Sequence, residues 1–218
     1  MVTRSPIRGL VASGRTDSGV HALGQVVAFY TDAEISLPEF AYSVSGVLRD
    51  EVAIVKAALV PDNFHPRKSA LKKRYEYHIL YRPNPPVLDA GRAWHVRGPL
   101  DIKLMQDEAA VLVGLSDFRS MQGKGCAART TERTIFKSEL IWNPPHLTYV
   151  VEGEGFLKQM VRNIVGTLVG RGRGVLTSPV SEILAARDRR KAGVTAPGHG
   201  LTLVWVEYEP EFMELLKI

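Results

Sequence analysis

The sequence has one cysteine and no long apolar run. Cys126 is alone among 218 residues, which excludes an internal disulfide and fits a reducing cytoplasm. No apolar stretch is long enough to cross a bilayer, and residues 1–6 lack the apolar segment of a signal peptide. We therefore expect a cytoplasmic protein that does not associate with membranes.

Signatures of common cofactor sites are also lacking. The six histidines and the cysteine show no metal-ligand spacing. The glycine- and arginine-rich residues 170–174 have neither the Lys-Ser/Thr pair of a phosphate-binding loop nor a dinucleotide-binding pattern. No Gly-x-Ser-x-Gly nucleophile motif occurs. We expect neither a metal nor a cofactor.

The composition is that of a globular protein, with 45% hydrophobic and 23% charged residues. The length allows one large domain or two packed lobes. The net charge of +5 suits an anionic partner. Aromatic residues interleave with the first four basic clusters, as phosphate contact and base stacking require; they are Phe64, Tyr75, Tyr77, Phe118 and Phe156. Solvated basic faces are the alternative interpretation. The basic clusters are Lys68, Lys72, Lys73 and Arg74; Arg129 and Arg133; Lys158 and Arg162; Arg171 and Arg173; and Arg187, Arg189, Arg190 and Lys191.

Hydrophobic periodicity predicts an α+β fold with a mixed, largely antiparallel sheet and helices on one face. The helix of residues 156–169 should bury one stripe, with Arg162 well away from it. Residues 116–129 are predicted to form a loop. The predicted helices are 37–48, 101–113, 156–169 and 180–186, and the predicted strands are 7–12, 25–30, 52–59, 73–81, 133–142, 147–152 and 201–208.

A tight polar turn separates the first two predicted strands. Its centre is Asp17-Ser18-Gly19, flanked by Arg15 and His21. Asp-Ser-Gly is ordinary turn chemistry, because the Asp side chain can bond backbone amides and glycine tolerates positive φ. The same turn could present its carboxylate to a cleft, and the residues of the turn leave both interpretations open.

Three ordered motifs bear on this choice. They are the run GRTDSGVHALGQV at residues 14–26, residues 64–77 with Phe-His-Pro-Arg and Lys-Arg-Tyr-Glu-Tyr, and GFLKQMVRNIVG at residues 155–166. Together they resemble the tRNA pseudouridine synthase A family, with Ser18 where the family usually has alanine. The resemblance implies a pseudouridine synthase fold of two ferredoxin-like halves, here 1–82 and 83–218, with the active cleft between them.

The resemblance also implies roles for single residues. Asp17 would be the catalytic aspartate, Arg162 its ion-pair partner, and Tyr75 the ring that lines the uridine pocket. A solvated helix arginine and a core tyrosine are the alternatives for the last two. Arg15 and His21 would contact RNA phosphates or hold the displaced nucleotide, although His21 fits a structural role equally well. The other predicted RNA-binding residues are Tyr75, Lys73, Arg74 and Lys158.

The function implied is isomerisation of uridine to pseudouridine in the anticodon stem-loop of tRNA (positions 38–40), by a homodimer. Family members carry a further strand and helix ahead of the Asp17 motif. Without them we expect an unpaired sheet edge and uncovered apolar surface. The alternative function is therefore an RNA-binding module of the same fold with impaired catalysis. A glycosidase is disfavoured, because no second carboxylate accompanies Asp17 in its motif.

Overall fold

The computed structural model describes residues 5–216. These residues form two compact units. Unit 1 comprises residues 5–15, 25–71 and 206–216, and unit 2 comprises residues 16–24 and 72–205. The division of the chain into halves at residues 82 and 83 stays a prediction.

Residues 5–216 contain nine strands and five α-helices. The strands are β1 (Ile7–Ala12), β2 (His21–Ala22), β3 (Val27–Thr31), β4 (Lys72–Tyr81), β5 (Trp94–Val96), β6 (Gly114–Asp117), β7 (Glu132–Asn143), β8 (His146–Gly153) and β9 (Leu201–Glu207). The helices are α1 (Leu37–Leu48), α2 (Ile102–Ala110), α3 (Met160–Gly172), α4 (Val180–Ala185) and α5 (Pro210–Leu216).

The larger sheet is the framework of unit 2. Its strand order is β2-β9-β4-β8-β7-β6, and β5 pairs with β4. The β4/β8, β8/β7 and β7/β6 pairs are antiparallel, whereas β2/β9 and β4/β5 are parallel. The predicted α+β class with a mixed, largely antiparallel sheet is therefore confirmed.

One face of this sheet is covered by α2 and α3. Alternate residues of β4 are buried, including Tyr75, Tyr77 and Ile79, as the period-2 pattern predicted. In β8, Tyr149 lies opposite Tyr77 and is fully buried. The same face meets α2 through Ser138 of β7, whose hydroxyl donates to a carbonyl of that helix. The core of unit 2 lies between this face and the two helices.

The two helices are fixed by a buried ion pair. Glu108 of α2 is 6% exposed, and its Oε1 accepts from Nε and Nη2 of Arg171 in α3, each at 2.8 Å. Its Oε2 accepts the backbone N–H of Val180, at the start of α4, at 2.7 Å. A single carboxylate thus connects three helices.

In unit 1 strands β1 and β3 form a two-stranded antiparallel sheet. The ring of Phe64 packs against Tyr208 and Phe212, with centroids 5.2 and 5.0 Å apart. Helix α1 has no buried residue, and Tyr42 on it is 84% exposed. Apolar surface is therefore uncovered in this unit.

The predicted strand at residues 52–59 is wrong. The structure has no strand there, and Val52, Val55 and Leu59 are exposed. A strand requires a hydrogen-bonded neighbour, and the described sheet of unit 1 consists of β1 and β3. The apolar run predicted a buried, paired strand, but these residues are neither paired in a sheet nor buried.

Helix α3 differs from its prediction in both ends and in its burial, and it ends at Gly172 instead of residue 169. It begins at Met160, not Phe156, because Gln159 adopts the left-handed conformation with φ of 59°. The helix is also buried on nearly all sides, so Arg162 is not on an exposed face; its side chain is 15% exposed. Glycine makes this enclosure possible, because a Cβ on Gly166 would lie 1.7 Å from the carbonyl oxygen of Val194.

Smaller differences occur at α2 and β6. Helix α2 ends at Ala110 instead of residue 113, and the start of the predicted loop 116–129 belongs to β6. Gly114, with φ of +107°, turns the chain between them. Strand β6 then pairs with β7, which extends the sheet. The other predicted helices and strands are confirmed, with ends that move by one or two residues.

Candidate active site

The Asp17 turn belongs to unit 2, although the strands β1 and β3 on either side of it belong to unit 1. The backbone N–H of Val20 donates to the carbonyl of Asp17 at 3.0 Å and closes the turn. Gly19 adopts φ of +78°, which glycine permits at little cost. Strand β2 follows at once and pairs with β9, with His21 opposite Thr202. The carboxylate is therefore held on a turn fastened to the sheet edge.

Arg162 and Asp17 form an ion pair. Nη1 of Arg162 donates to Oδ2 of Asp17 at 2.5 Å. The side chains are 15% and 31% exposed, so the pair is partly shielded from solvent and screened less than a surface pair. The guanidinium compensates the charge of the carboxylate and fixes its direction.

The guanidinium is itself held in place. Its Nε donates to the carbonyl of Ala196 at 2.7 Å, and the backbone N–H of Ala196 donates to the carbonyl of Arg162 at 3.1 Å. Both the side chain and the main chain of Arg162 are thus tied to one residue of the segment before β9. This leaves Nη1 aimed at Asp17.

Tyr75 lies on the buried face of β4, 8% exposed, with its ring edge-on to Phe156 at a centroid distance of 5.1 Å. Burial, and secondly the negative charge of Asp17, raise the pKa of the Tyr75 phenol to about 12. The phenol is therefore within electrostatic range of the carboxylate. At neutral pH it keeps its proton, so it is a hydrogen-bond donor and not a base.

The structure thus pairs Asp17 with Arg162, and the charge of Asp17 acts on the phenol of Tyr75; these are the three residues predicted to be catalytic. The ring of Tyr75 is packed in the core, as the structural alternative expects, and its place in a uridine pocket stays a prediction. For Arg162 the solvated-helix alternative is wrong, since this side chain is mostly buried and paired.

The predicted RNA-binding residues are more scattered. Nε2 of His21 lies 2.9 Å from the carbonyl oxygen of Gly91, a structural contact, yet the residue is exposed. Lys158 is exposed and its Nζ donates to the carbonyl of Lys124 at 3.0 Å. Arg15 is exposed and belongs to unit 1.

The two basic residues of β4 are less accessible. Lys73 is only 8% exposed, on the same strand face as Tyr75. Arg74 is on the opposite face, where it pairs with Glu76 at 2.7 Å and with Glu152 at 3.3 Å. Arg74 is thus bound to carboxylates on the face opposite Tyr75, and the part of both residues in RNA binding stays a prediction.

Two neighbours of the site were not among the predicted site residues. The hydroxyl of Tyr77 donates to the carbonyl of Pro197 at 2.7 Å, next to the residue that holds Arg162. Burial raises the pKa of Tyr77, while the positive charge of Arg162 acts in the opposite direction. Phe156, which was assigned to helix α3, instead supports Tyr75. The paired tyrosines of β4 were the available signal for Tyr77.

No group of three or more His, Cys, Asp or Glu side chains within residues 5–216 is placed to hold a metal. In the same part of the chain no helix has the length and apolar character needed to cross a bilayer. A polar cavity of about 470 Å³ lies elsewhere in unit 2, lined by Asp117, Arg129 and Arg187 among others, and Asp17 is not part of it.

Comparison with known proteins agrees with the motifs. A family model described as tRNA pseudouridine synthase matches residues 109–209. The tRNA pseudouridine synthase A of Syntrophotalea carbinolica is 42% identical over 203 residues, which cover 93% of this chain and 81% of that protein. That of Moorella thermoacetica is 43% identical over 199 residues, or 91% of this chain and 81% of that protein. Such identity over most of the chain shows that it belongs to the tRNA pseudouridine synthase A family, a family of isomerases.

Proposed function

We propose that this protein converts uridine to pseudouridine in the anticodon stem-loop of tRNA, with Asp17 as the catalytic carboxylate. The ion pair between Asp17 and Arg162, with Tyr75 in electrostatic range, is the observation that supports this most directly. The names of the relatives support tRNA as the substrate.

The reaction is an isomerisation. The bond from N1 of uracil to C1′ of ribose breaks, a bond from C5 to C1′ forms, and the proton lost from C5 is balanced by one gained at N1. No oxidant or added group is needed. A carboxylate can serve as nucleophile to the ribose or base, as an electrostatic partner, or as the base that removes a sugar proton. The ion pair uses Oδ2 of Asp17, and we assign Oδ1 to the substrate.

Tyr75 would receive the base. A uridine within a stem must leave the stack before an enzyme can reach it, and aromatic side chains bind such extruded bases by stacking. Phe156 packs edge-on against the Tyr75 ring and fixes its orientation. Because its pKa is raised to about 12, the phenol would donate a hydrogen bond to the base or carboxylate at neutral pH.

RNA backbone contacts would come from exposed basic residues. Lys158 and His21 are exposed in unit 2, and Arg15 is exposed in unit 1. Each phosphate neutralised by such a residue adds about 0.9 to the slope of log affinity against log salt, or about 0.7 for single strands. Replacing Lys158 by Gln should lower the slope by close to this amount.

We also propose that the enzyme is a cytoplasmic homodimer. The exposed apolar side chains of unit 1, including Leu10 and Tyr42, fit a protein interface. Light scattering would distinguish the monomer mass of 24.1 kDa from twice that value. A monomer at micromolar concentration would refute the dimer and leave the proposed activity intact.

The decisive experiment measures tritium released from C5 of uridine in labelled, unmodified tRNA. The wild-type protein should release tritium, and Asp17→Asn, which keeps the shape of the side chain, should release none while still binding tRNA. Asp107→Asn, at an exposed carboxylate of α2, is the matched control and should behave like wild type. A truncated stem-loop substrate then locates the modified uridines.

Each outcome has a distinct meaning. Tritium release by Asp17→Asn would remove this residue from the catalytic role. Tight tRNA binding by wild type without release would instead indicate the catalytically impaired RNA-binding module. Release from tRNA but not from the isolated anticodon stem-loop would contradict the proposed site of modification.

A further inference from the structure

A short segment of unit 2 connects the two members of the ion pair. We call residues 196–200 the strap, since they run from Arg162 to the start of β9. Ala196 is bound to Nε and to the carbonyl of Arg162, as described above. A displacement of Ala196 would therefore move the guanidinium.

The strap also touches the Asp17 turn. A Cβ on Gly198 would lie 2.6 Å from the carbonyl oxygen of Ser18, which is too close for any side chain. A Cβ on Gly19 would lie 3.7 Å from the backbone N of His199. The main chain of the strap thus packs directly on the residues next to Asp17.

Tyr77 is the point at which the sheet holds the strap. Its side chain is fully buried, and its hydroxyl donates to the carbonyl of Pro197 at 2.7 Å. A Cβ on Gly200 would lie 2.7 Å from the Tyr77 ring. The ring is packed edge-on to Trp94, with centroids 6.4 Å apart. The hydroxyl is therefore rigidly placed between Ala196, which holds Arg162, and Gly198, which meets the Asp17 turn.

We propose that Tyr77 is a positioning residue for the reaction, whose hydroxyl fixes the strap through the carbonyl of Pro197 and so sets the mutual orientation of Arg162 and Asp17. The proposal rests on the function proposed above. Tyr77 would not touch the substrate. A misplacement of about 1 Å at a catalytic group can cost roughly a hundredfold in rate, so one hydrogen bond at this position can control turnover.

The test is Tyr77→Phe, which removes the hydroxyl and retains the ring. We expect kcat to fall about tenfold to a hundredfold, with KM for tRNA and tRNA affinity unchanged. Tyr149→Phe is the matched control. Tyr149 lies on β8, the strand next to β4, and its buried hydroxyl is hydrogen-bonded to Ser138 at 2.8 Å. The control should lower the melting temperature by a similar amount and keep kcat near the wild-type value.

A second variant approaches the strap from its other side. Gly198→Ala pushes against Ser18 and should lower kcat by a similar factor. Since both changes act through one segment, the double variant should be less impaired than the product of the single effects predicts. Fully multiplicative effects would show that Tyr77 and Gly198 act independently, and would overturn the proposal.

A structural measurement makes the test independent of turnover. The measurement is the exchange of the Arg162 Nε hydrogen with solvent, and its signal is assigned by its loss in Arg162→Lys. This exchange should be slow in wild type and in Tyr149→Phe. It should be faster in Tyr77→Phe. Unchanged exchange in Tyr77→Phe would refute the proposal whether or not the enzyme is active. Faster exchange with a normal kcat would also refute it. An inactive wild type would instead refute the proposed function, and exchange would still decide whether Tyr77 holds Arg162.

Discussion

Nη1 of Arg162 lies 2.5 Å from Oδ2 of Asp17, although 145 positions separate the two residues in the chain. Asp17 is on the turn before the short strand β2, and Arg162 is in the first turn of α3. The geometry depends on the Ala196 carbonyl, which occupies Nε and leaves Nη1 for the carboxylate.

Arg162→Lys should nearly abolish activity even though it keeps the charge. A lysine ammonium cannot satisfy the Ala196 carbonyl and the Asp17 carboxylate in the fixed directions that a planar guanidinium provides. We expect a fall in kcat of about a hundredfold or more, measured by tritium release. Arg190→Lys, at an exposed arginine, is the control. Near-normal turnover in Arg162→Lys would mean that only charge matters at this position.

Tyr75 should contribute to the loss of stability in alkali. Its pKa is about 12 in the folded protein and near 10 when unfolded, so the folded state retains this proton more tightly. The contribution is fully present below about pH 10 and is lost as the pH rises through about 12, by up to about 3 kcal/mol. The free energy of unfolding of wild type and of Tyr75→Phe can be measured in urea at about pH 8 and about pH 11.5. Between the two pH values, the wild type should lose more stability than the variant. A constant difference would contradict the raised pKa.

Gly166→Ala should destabilise the protein severely. The new Cβ would meet the Val194 carbonyl oxygen, a backbone atom, at 1.7 Å, so the helix or the segment that leads to the strap must move. We expect a loss of roughly 3 kcal/mol or more, as for other overpacked core positions. Gly46→Ala in α1 is the control, because nothing lies within 4 Å of its added Cβ. In thermal melts, the melting temperature of Gly46→Ala should equal that of wild type or be slightly higher.

Glu108→Gln should lower the free energy of unfolding far more than Asp107→Asn does. Glu108 is buried and accepts from Arg171 and the Val180 N–H, so its neutralisation leaves a buried guanidinium without its counter-charge. Breaking such a pair costs about 3–5 kcal/mol. Asp107→Asn, in an exposed pair with Lys103, should change the free energy of unfolding by less than about 0.5 kcal/mol. Equal effects in urea titrations would show that the buried pair is not structurally important.

The sheet strands of unit 2 were predictable because their environment is simple. Strand β4 alternates Tyr75, Glu76 and Tyr77, and one face is covered by helices while the other is polar, so the sequence pattern reports burial directly. Residues 52–59 have a comparable apolar content, yet local pattern does not reveal whether a partner strand exists.

Helix α3 shows the limit of periodicity. Asn163, Thr167 and Arg162 would occupy exposed positions if polarity decided the face. Instead Asn163 donates to the Met121 carbonyl and Thr167 bonds the N–H of Gly193, so polar side chains are buried with their hydrogen bonds satisfied. Neighbouring loops enclose the helix, and their positions are a tertiary property that no local pattern encodes.

The candidate site was predicted by motif and not by physical pattern. Taken alone, Asp17 reads as a turn residue and Arg162 as a solvated one, and only the family motifs placed them together. The structure adds the hydrogen bonds that explain the pairing. It also adds Tyr77 and the strap, because these contacts depend on where the chain returns after α4.

The separation between Asp17 and Arg162 determines when the site can exist during synthesis. At about 5–20 residues per second, a ribosome needs roughly 7–30 s to extend the chain by the 145 positions from Asp17 to Arg162. Strand β2, which fastens the Asp17 turn, must also wait for Thr202 of β9. The Asp17 turn therefore lacks the strand that fastens it until Thr202 has been made, and we expect the ion pair to form only then.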